Sequence, residues 1–489
     1  MLLGLTQQLL LIPAFLHFWT GDMLAAWFAI YAAGNLVVAA DAGLQLRAIN
    51  RFLAFKSCVD CDGRTANFYA GMLRTYRWLV AVLVLLLVVA AQLWPPSFVL
   101  GFHATAGFDP ALLAMTVGMV LVLPSNLVSG LYRVRGRYSR TVWLQSAALF
   151  SGQLAQLVAI SSSGSLLAVA AAFVVPQVLL TVFLIAYDAP RLFPFLRRVG
   201  ARRGAIRVSR WGFGQLALAA PFAVSGIAEL ALLNAPVLLV SALVTDRVAV
   251  AQWGLTRVIA GLVRGLCWQA TLPLAAELGH DHAIGDRERL CGLYARGSAL
   301  VTALASVMVA GLLPFWADFF ALWTHGSIPY DAPLAVILLL GSAAAAPSLL
   351  AYAFATHSNR GDLLVRSKGL QLVVFLGLSF TLIRMLGPLG AALAVVASDL
   401  LVQFGLLTLV IMGQTLQHPL RHTAFLAVIA AVVVPAGWGV GVAVASLVPG
   451  AGLAHFIAEC AVWLAIAALA ASPLAFSGFR NRLAAAIPR

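Results

Sequence analysis

The sequence predicts an all-α polytopic membrane protein of about 14 transmembrane helices. Two six-helix lobes, related by a pseudo-two-fold axis along the membrane normal, are followed by two C-terminal helices. Three observations predict this. The 489 residues are 62% hydrophobic and only 10% charged, with mean hydropathy +0.97, whereas a soluble domain carries about 25% charged residues. Fourteen apolar runs follow one another, most of them close to the ~20 residues that a helix needs to cross hydrocarbon. Finally, 27 of the 31 Lys and Arg fall in alternate connections between those runs.

The runs are 2–19, 23–46, 78–101, 110–131, 142–160, 166–187, 213–243, 249–277, 298–320, 333–356, 369–386, 388–412, 424–446 and 453–475. The first has no charged leader and no small-residue cleavage site, so it reads as a retained span, short at its start: either the helix begins at the very terminus or the true start lies upstream. The seventh and eighth are longer than a span requires, which allows tilt or protruding ends. Loop 47–77 holds six Lys or Arg, loop 132–141 four and loop 188–212 seven. Loops 280–297 and 357–368 hold three each, loop 413–423 one and the tail after 475 three. With fourteen spans all these segments share one side, where the positive-inside rule puts the cytoplasm together with both termini. The opposite side has only Arg247 and Arg384. Removing one helix would scramble the alternation. The net charge of +14 is thus a topology signal, and no nucleic-acid partner is expected.

The basic stretch 188–212 separates the lobes, giving residues 1–187, the linker 188–212, residues 213–412, and helices thirteen and fourteen with a tail in 413–489. Trp27 and Trp253 each open the second helix of their half, and Pro13 and Pro221 each lie in the first. Halves with an even number of helices form a parallel repeat, which places substrate between lobes that rock to alternate access. The outer connections are short, too short for an extracytoplasmic catalytic domain. Phosphate-loop, GxSxG and HExxH patterns are missing. An enzyme that modifies lipid-linked sugars is therefore disfavoured, no cofactor is expected, and transport must run on an ion gradient, a membrane potential or product removal.

The eighth run carries the chemistry. Trp253, Arg257, Gly261, Arg264 and Trp268 recur at steps of four, four, three and four, which puts them on one helix face. An arginine at bilayer depth costs ~2.5–3.5 kcal/mol on insertion scales and usually faces protein or a watery cavity. Its planar fork of donors suits phosphate oxygens. The stripe reads as a cavity wall for an anionic group on a lipid, against the plainer reading of two snorkelling arginines.

Several residues together resemble the polysaccharide flippases of the multidrug/oligosaccharidyl-lipid/polysaccharide exporter superfamily. They are Pro13, Trp27 and Asp41-Ala42-Gly43-Leu44 in the first half, then Thr256-Arg257 with Pro273 and Glu277, then Gly387-Pro388-Leu389-Gly390-Ala391-Ala392. The resemblance covers most of residues 10 to 412. It implies transfer of a polyprenyl-pyrophosphate-linked oligosaccharide to the outer leaflet of the cytoplasmic membrane for polysaccharide synthesis. A proton or cation would couple the step, membrane lipid would surround a monomer, and polysaccharide polymerase machinery would be a partner. An acidic residue common in that family's seventh helix is replaced near Asn234-Ala235-Pro236. The alternative within the superfamily, a drug or metabolite cation antiporter, should have an acidic cavity, whereas arginines line this one.

Depth along neighbouring antiparallel helices pairs Glu229 with Arg264, either as neutralisation or as a gate. Asp399, midway along helix twelve, suits proton coupling or hydrogen bonding to neighbouring helices. Asp41 and Arg47 near a helix end suit interface anchoring, with Asp41 a further gating candidate, and Glu459 reads as structural. Cys58-x-x-Cys61, even with His280, His282 and Cys291, falls short of a closed zinc site, which needs four converging ligands, so no metal is expected.

Overall fold

The computed structural model describes residues 2–41, 43–55, 63–196, 208–358, 360–447, 450, 452–478, 485, 487 and 488. These residues are helical almost throughout, which is the outcome that hydrocarbon imposes, since only a helix or a closed barrel satisfies its own backbone there. All fourteen apolar runs lie on helices: α1 (Leu2–Phe18), α2 (Gly21–Ala54), α3 (Arg64–Leu93), α4 (Phe108–Val134), α5 (Tyr138–Ser163), α6 (Leu166–Leu192), α7 (Val208–Leu243), α8 (Arg247–Ile284), α9 (Arg287–Thr324), α10 (Ala332–His357), α11 (Gly361–Leu386), α12 (Pro388–Thr415), α13 (Pro419–Leu447) and α14 (Leu453–Ala471). Among the described residues, 12 helices are long and apolar enough to cross a membrane. Of the other two, α1 has 17 residues, and α5 carries Gln145, Gln153 and Gln156 along its length. Among the described residues, fourteen is thus the number of long helices that carry the apolar runs, beside a short helix at Pro96–Leu100, and twelve the number that qualify as spans by length and hydropathy.

Helix ends follow local chemistry. Asp286 accepts from the Arg289 backbone N–H at 3.0 Å and Asp331 from that of Leu334 at 3.2 Å, each satisfying an orphan donor of the first turn of α9 or α10. Pro388 occupies the first turn of α12, where no N–H is missed. Gly387 before it adopts φ 59° and ψ −135°, a conformation a side chain would strain. Two helices widen to π-turns, α6 over Leu184–Asp188 and α12 over Asp399–Thr408. Each wide stretch has a carboxylate at its edge.

The chain divides into two compact units, Met1–Arg247 and Val248–Arg489. In the first, α4 packs against α2 and α6, α5 lies on α6, and α1 lies on α5. The sequence reading put α7 in the second lobe; its contacts with α2 group it with the first unit. Leu44, Phe52, Met72, Tyr76, Leu127 and Tyr132 form part of a core where α2, α3 and α4 meet. In the second unit, α9 packs on α10 and α13, α11 forms a tight hairpin with α12, and α12 lies against α10. Helix α8 differs. It reaches α10 and α12 chiefly through long side chains rather than close backbone packing.

Candidate functional site

The stripe on α8 does not behave uniformly. Trp253, near the N-terminal end of α8, is completely buried, so it packs rather than lines an opening. From Arg257 onward the face opens. Arg257 and Trp268 are half-buried, and a side chain added at Gly261 would meet nothing within 4 Å. Arg264 keeps 32% of its side-chain exposure.

Arg264 is the centre of the arrangement. Its Nη2 lies 2.6 Å from Asp399 Oδ2, and its Nε donates to Ser342 Oγ at 3.4 Å. The other oxygen of Asp399 accepts from Gln371 Nε2 at 2.6 Å. The Gln371 carbonyl accepts from Lys368 Nζ at 3.3 Å, and that ammonium sits 4.8 Å from the centre of the Tyr352 ring. Tyr352 meets Trp268 with ring centres 5.9 Å apart at 54°. Four helices of one unit thus contribute to a single chain of contacts: α8, α10, α11 and α12. Asp399 is 10% exposed in its side chain and Arg264 32%, so the guanidinium, not the carboxylate, is the accessible partner. An intramembrane charge paired on one side and open on the other is suited to exchange its partner for an incoming anion.

The carboxylate beside Arg264 within its own unit is Asp399. Glu229, the partner expected from depth, is exposed on α7 and has an interaction of its own. Asp41 accepts from Tyr76 Oη at 2.5 Å, from the Gln45 backbone at 3.1 Å and from Asn126 Nδ2 at 3.5 Å. It ties the kink of α2 to α3 and α4. Arg47 Nε donates to Gln215 Oε1 at 3.4 Å, joining α2 to α7. Glu459 is buried on α14 beside His455, 3.2 Å away. Cys58 and Cys61 lie outside the described residues; Cys291 is buried, His282 packs on Phe354 with ring centres 5.6 Å apart, and His280 is exposed.

Sequence reasoning missed Ser342, Tyr352, Lys368 and Gln371. Lys368 and Gln371 at i and i+3 in an apolar helix were a readable signal. It also missed Asp188, which accepts from Arg140 at 2.6 and 3.0 Å and from Tyr132 Oη at 2.6 Å, clamping α4, α5 and α6 together. A cavity of about 610 Å³ at the α8–α9 turn is lined by Glu277, Asp286, Glu288, Arg289 and Arg296. Its mixed charges, with Arg289 already 3.1 Å from Glu277, leave no field of one sign for a ligand.

Among the described residues the chain is a helical membrane protein of two units, with an ion pair set between helices of the second. Solved structures share this fold. The chain is similar to the lipid II flippase MurJ in an inward closed conformation, with TM-score 0.73, 12% identity and 97% of each chain covered. It is also similar to an inward-facing multidrug resistance MATE family transporter of the MOP superfamily, with TM-score 0.65 and 15% identity over 82% of this chain and 92% of that one. The chain shares the fold of these two solved proteins. No family model matches the sequence, and no curated protein does.

Proposed function

We propose that this chain is a flippase that carries a polyprenyl-pyrophosphate-linked oligosaccharide across the cytoplasmic membrane by alternating access, with both termini in the cytoplasm. The observation that carries the reading is the partly exposed Arg264 guanidinium, which stands on the α8 face that also bears Arg257 and Trp268 and lies 2.6 Å from the more deeply buried Asp399 of α12. A diphosphate arriving at this face replaces one carboxylate with two phosphate groups, and the Arg fork can hold it bidentately. Asp399, released, is left buried beside Gln371. In this reading the chain acts as a carrier.

The test is the amount of lipid-linked sugar in the outer leaflet, normalised to protein in the membrane. Arg257→Ala is expected to keep protein level and lose transport, and Arg257→Lys to retain part of it, because Lys keeps the charge and loses the fork. Full transport by Arg257→Ala at normal abundance would make the stripe a packing face. A second reading, a cation antiporter, draws support from the buried Asp399 and from the likeness to the MATE transporter. Under that reading cells expressing the protein would extrude organic cations in a manner abolished by Asp399→Asn, with outer-leaflet lipid-linked sugar unchanged.

A further inference from the structure

We propose that Trp268 and Tyr352 form a subsite for the sugar ring adjacent to the diphosphate; this rests on the flippase reading above. Trp268 lies four residues beyond Arg264, about one helical turn or ~5.4 Å along α8, which is the scale of the step from a phosphate to the sugar it carries. Both residues are half-buried, and their rings meet at 54° with centres 5.9 Å apart, making an open corner rather than a closed stack. The aromatic face is negative, and the C–H face of a pyranose, polarised by its ring and hydroxyl oxygens, presents positive hydrogens to it.

Two features separate this corner from an aromatic belt at the lipid interface. Arg264, on the same face of α8 as Trp268, reaches Ser342 on α10 and Asp399 on α12, so this face turns toward protein. Tyr352 belongs to α10, which is buried over most of its length. Lys368 holds the Tyr352 ring from above at 4.8 Å and bonds Gln371, whose amide bonds Asp399. The corner and the ion pair are therefore parts of one construction, and a ring seated on the aromatics leaves its diphosphate beside Arg264. Stacking reads a ring face rather than particular hydroxyls, so the subsite accepts neutral pyranoses broadly.

The probes are farnesyl pyrophosphate and farnesyl-pyrophosphoryl-glucose, bound to the purified full chain in detergent. The wild type is expected to bind the glucosylated probe about fivefold to tenfold more tightly. Tyr352→Phe should keep that ratio, and Tyr352→Leu should bring it close to one. Trp268→Phe against Trp268→Leu gives the same comparison from a second helix should the first pair accumulate poorly. A ratio unchanged in both Leu variants, or a wild-type ratio of one, overturns the subsite while leaving the flippase reading standing. Failure of the wild type to bind either probe overturns both.

Discussion

Arg264 and Asp399 each satisfy the other at a depth where neither is tolerable alone. Breaking such a pair by removing one member leaves the survivor uncompensated, whereas removing both is often neutral. Arg264→Met and Asp399→Leu should each lower stability by about 2–4 kcal/mol, on the low side of buried-pair losses because the guanidinium is partly solvated. The double change Arg264→Met with Asp399→Leu should recover thermal stability and membrane abundance without recovering transport. Equal losses in the single and double variants, followed by thermal unfolding in detergent, would mean that the two side chains contribute independently. The sequence disclosed the arginine and its face, because a charge in an apolar run is conspicuous and helical spacing is arithmetic. It did not disclose the partner. Asp399 stands on a helix far along the chain, and its meeting with Arg264 depends on how the two helices are rotated about their axes, which packing decides. The burial of Trp253 was hidden for the same reason, since a stripe can be read by period while its enclosure cannot.

At the scale of elements, the α11–α12 hairpin positions Gln371 against Asp399, and its tightness depends on Gly390. A Cβ at that position would stand 2.0 Å from the backbone oxygen of Leu382. Backbone cannot rotate aside as a side chain can, so Gly390→Ala must separate the two helices. The expected result is a loss of about 2–4 kcal/mol or failure to accumulate, with Gly413→Ala, where the added carbon meets open space, as the unaffected control. Normal thermal stability of Gly390→Ala would show that the hairpin relaxes without consequence. The Gly-Pro-Leu-Gly-Ala-Ala segment was legible as the start of a helix and as part of a family resemblance, and the close approach supplies its physical reason. The ends of α6 were less legible. Hydropathy stops at 187, but the helix continues to Leu192 through a π-turn, because Asp188 is neutralised by Arg140 rather than exposed in a loop. A hydropathy scale treats every aspartate as unpaired, so it ended the span one turn early.

At the scale of the whole molecule, the proposed orientation rests on the distribution of charge between the fourteen apolar runs. Fewer helices count as spans by hydropathy than by charge alternation: α5 has glutamines where its neighbours have leucine and valine, and it packs along α1 and α6 rather than standing alone in lipid. If α5 did not cross, every connection after it would change sides, and the Lys and Arg of 280–297 and 357–368 would face outward, against the cost that drives the positive-inside bias. Arg247, one of the two outer exceptions, is committed to structure, since it donates to the carbonyls of Leu100 and Ser241 at 3.3 and 2.8 Å and lies 4.9 Å from the Phe102 ring. It therefore does not weaken the bias. In a variant whose five cysteines are replaced by serine or alanine, single cysteines at the exposed positions Ser139 and Glu288 should react with a membrane-impermeant maleimide only after the cells are opened. Cysteines at the exposed positions Thr245 and Ser327 should react in intact cells. Ser139 and Thr245 are separated by α5, α6 and α7, an odd number of crossings, so labelling both from the same side would remove one helix from the membrane and with it the fourteen-span arrangement.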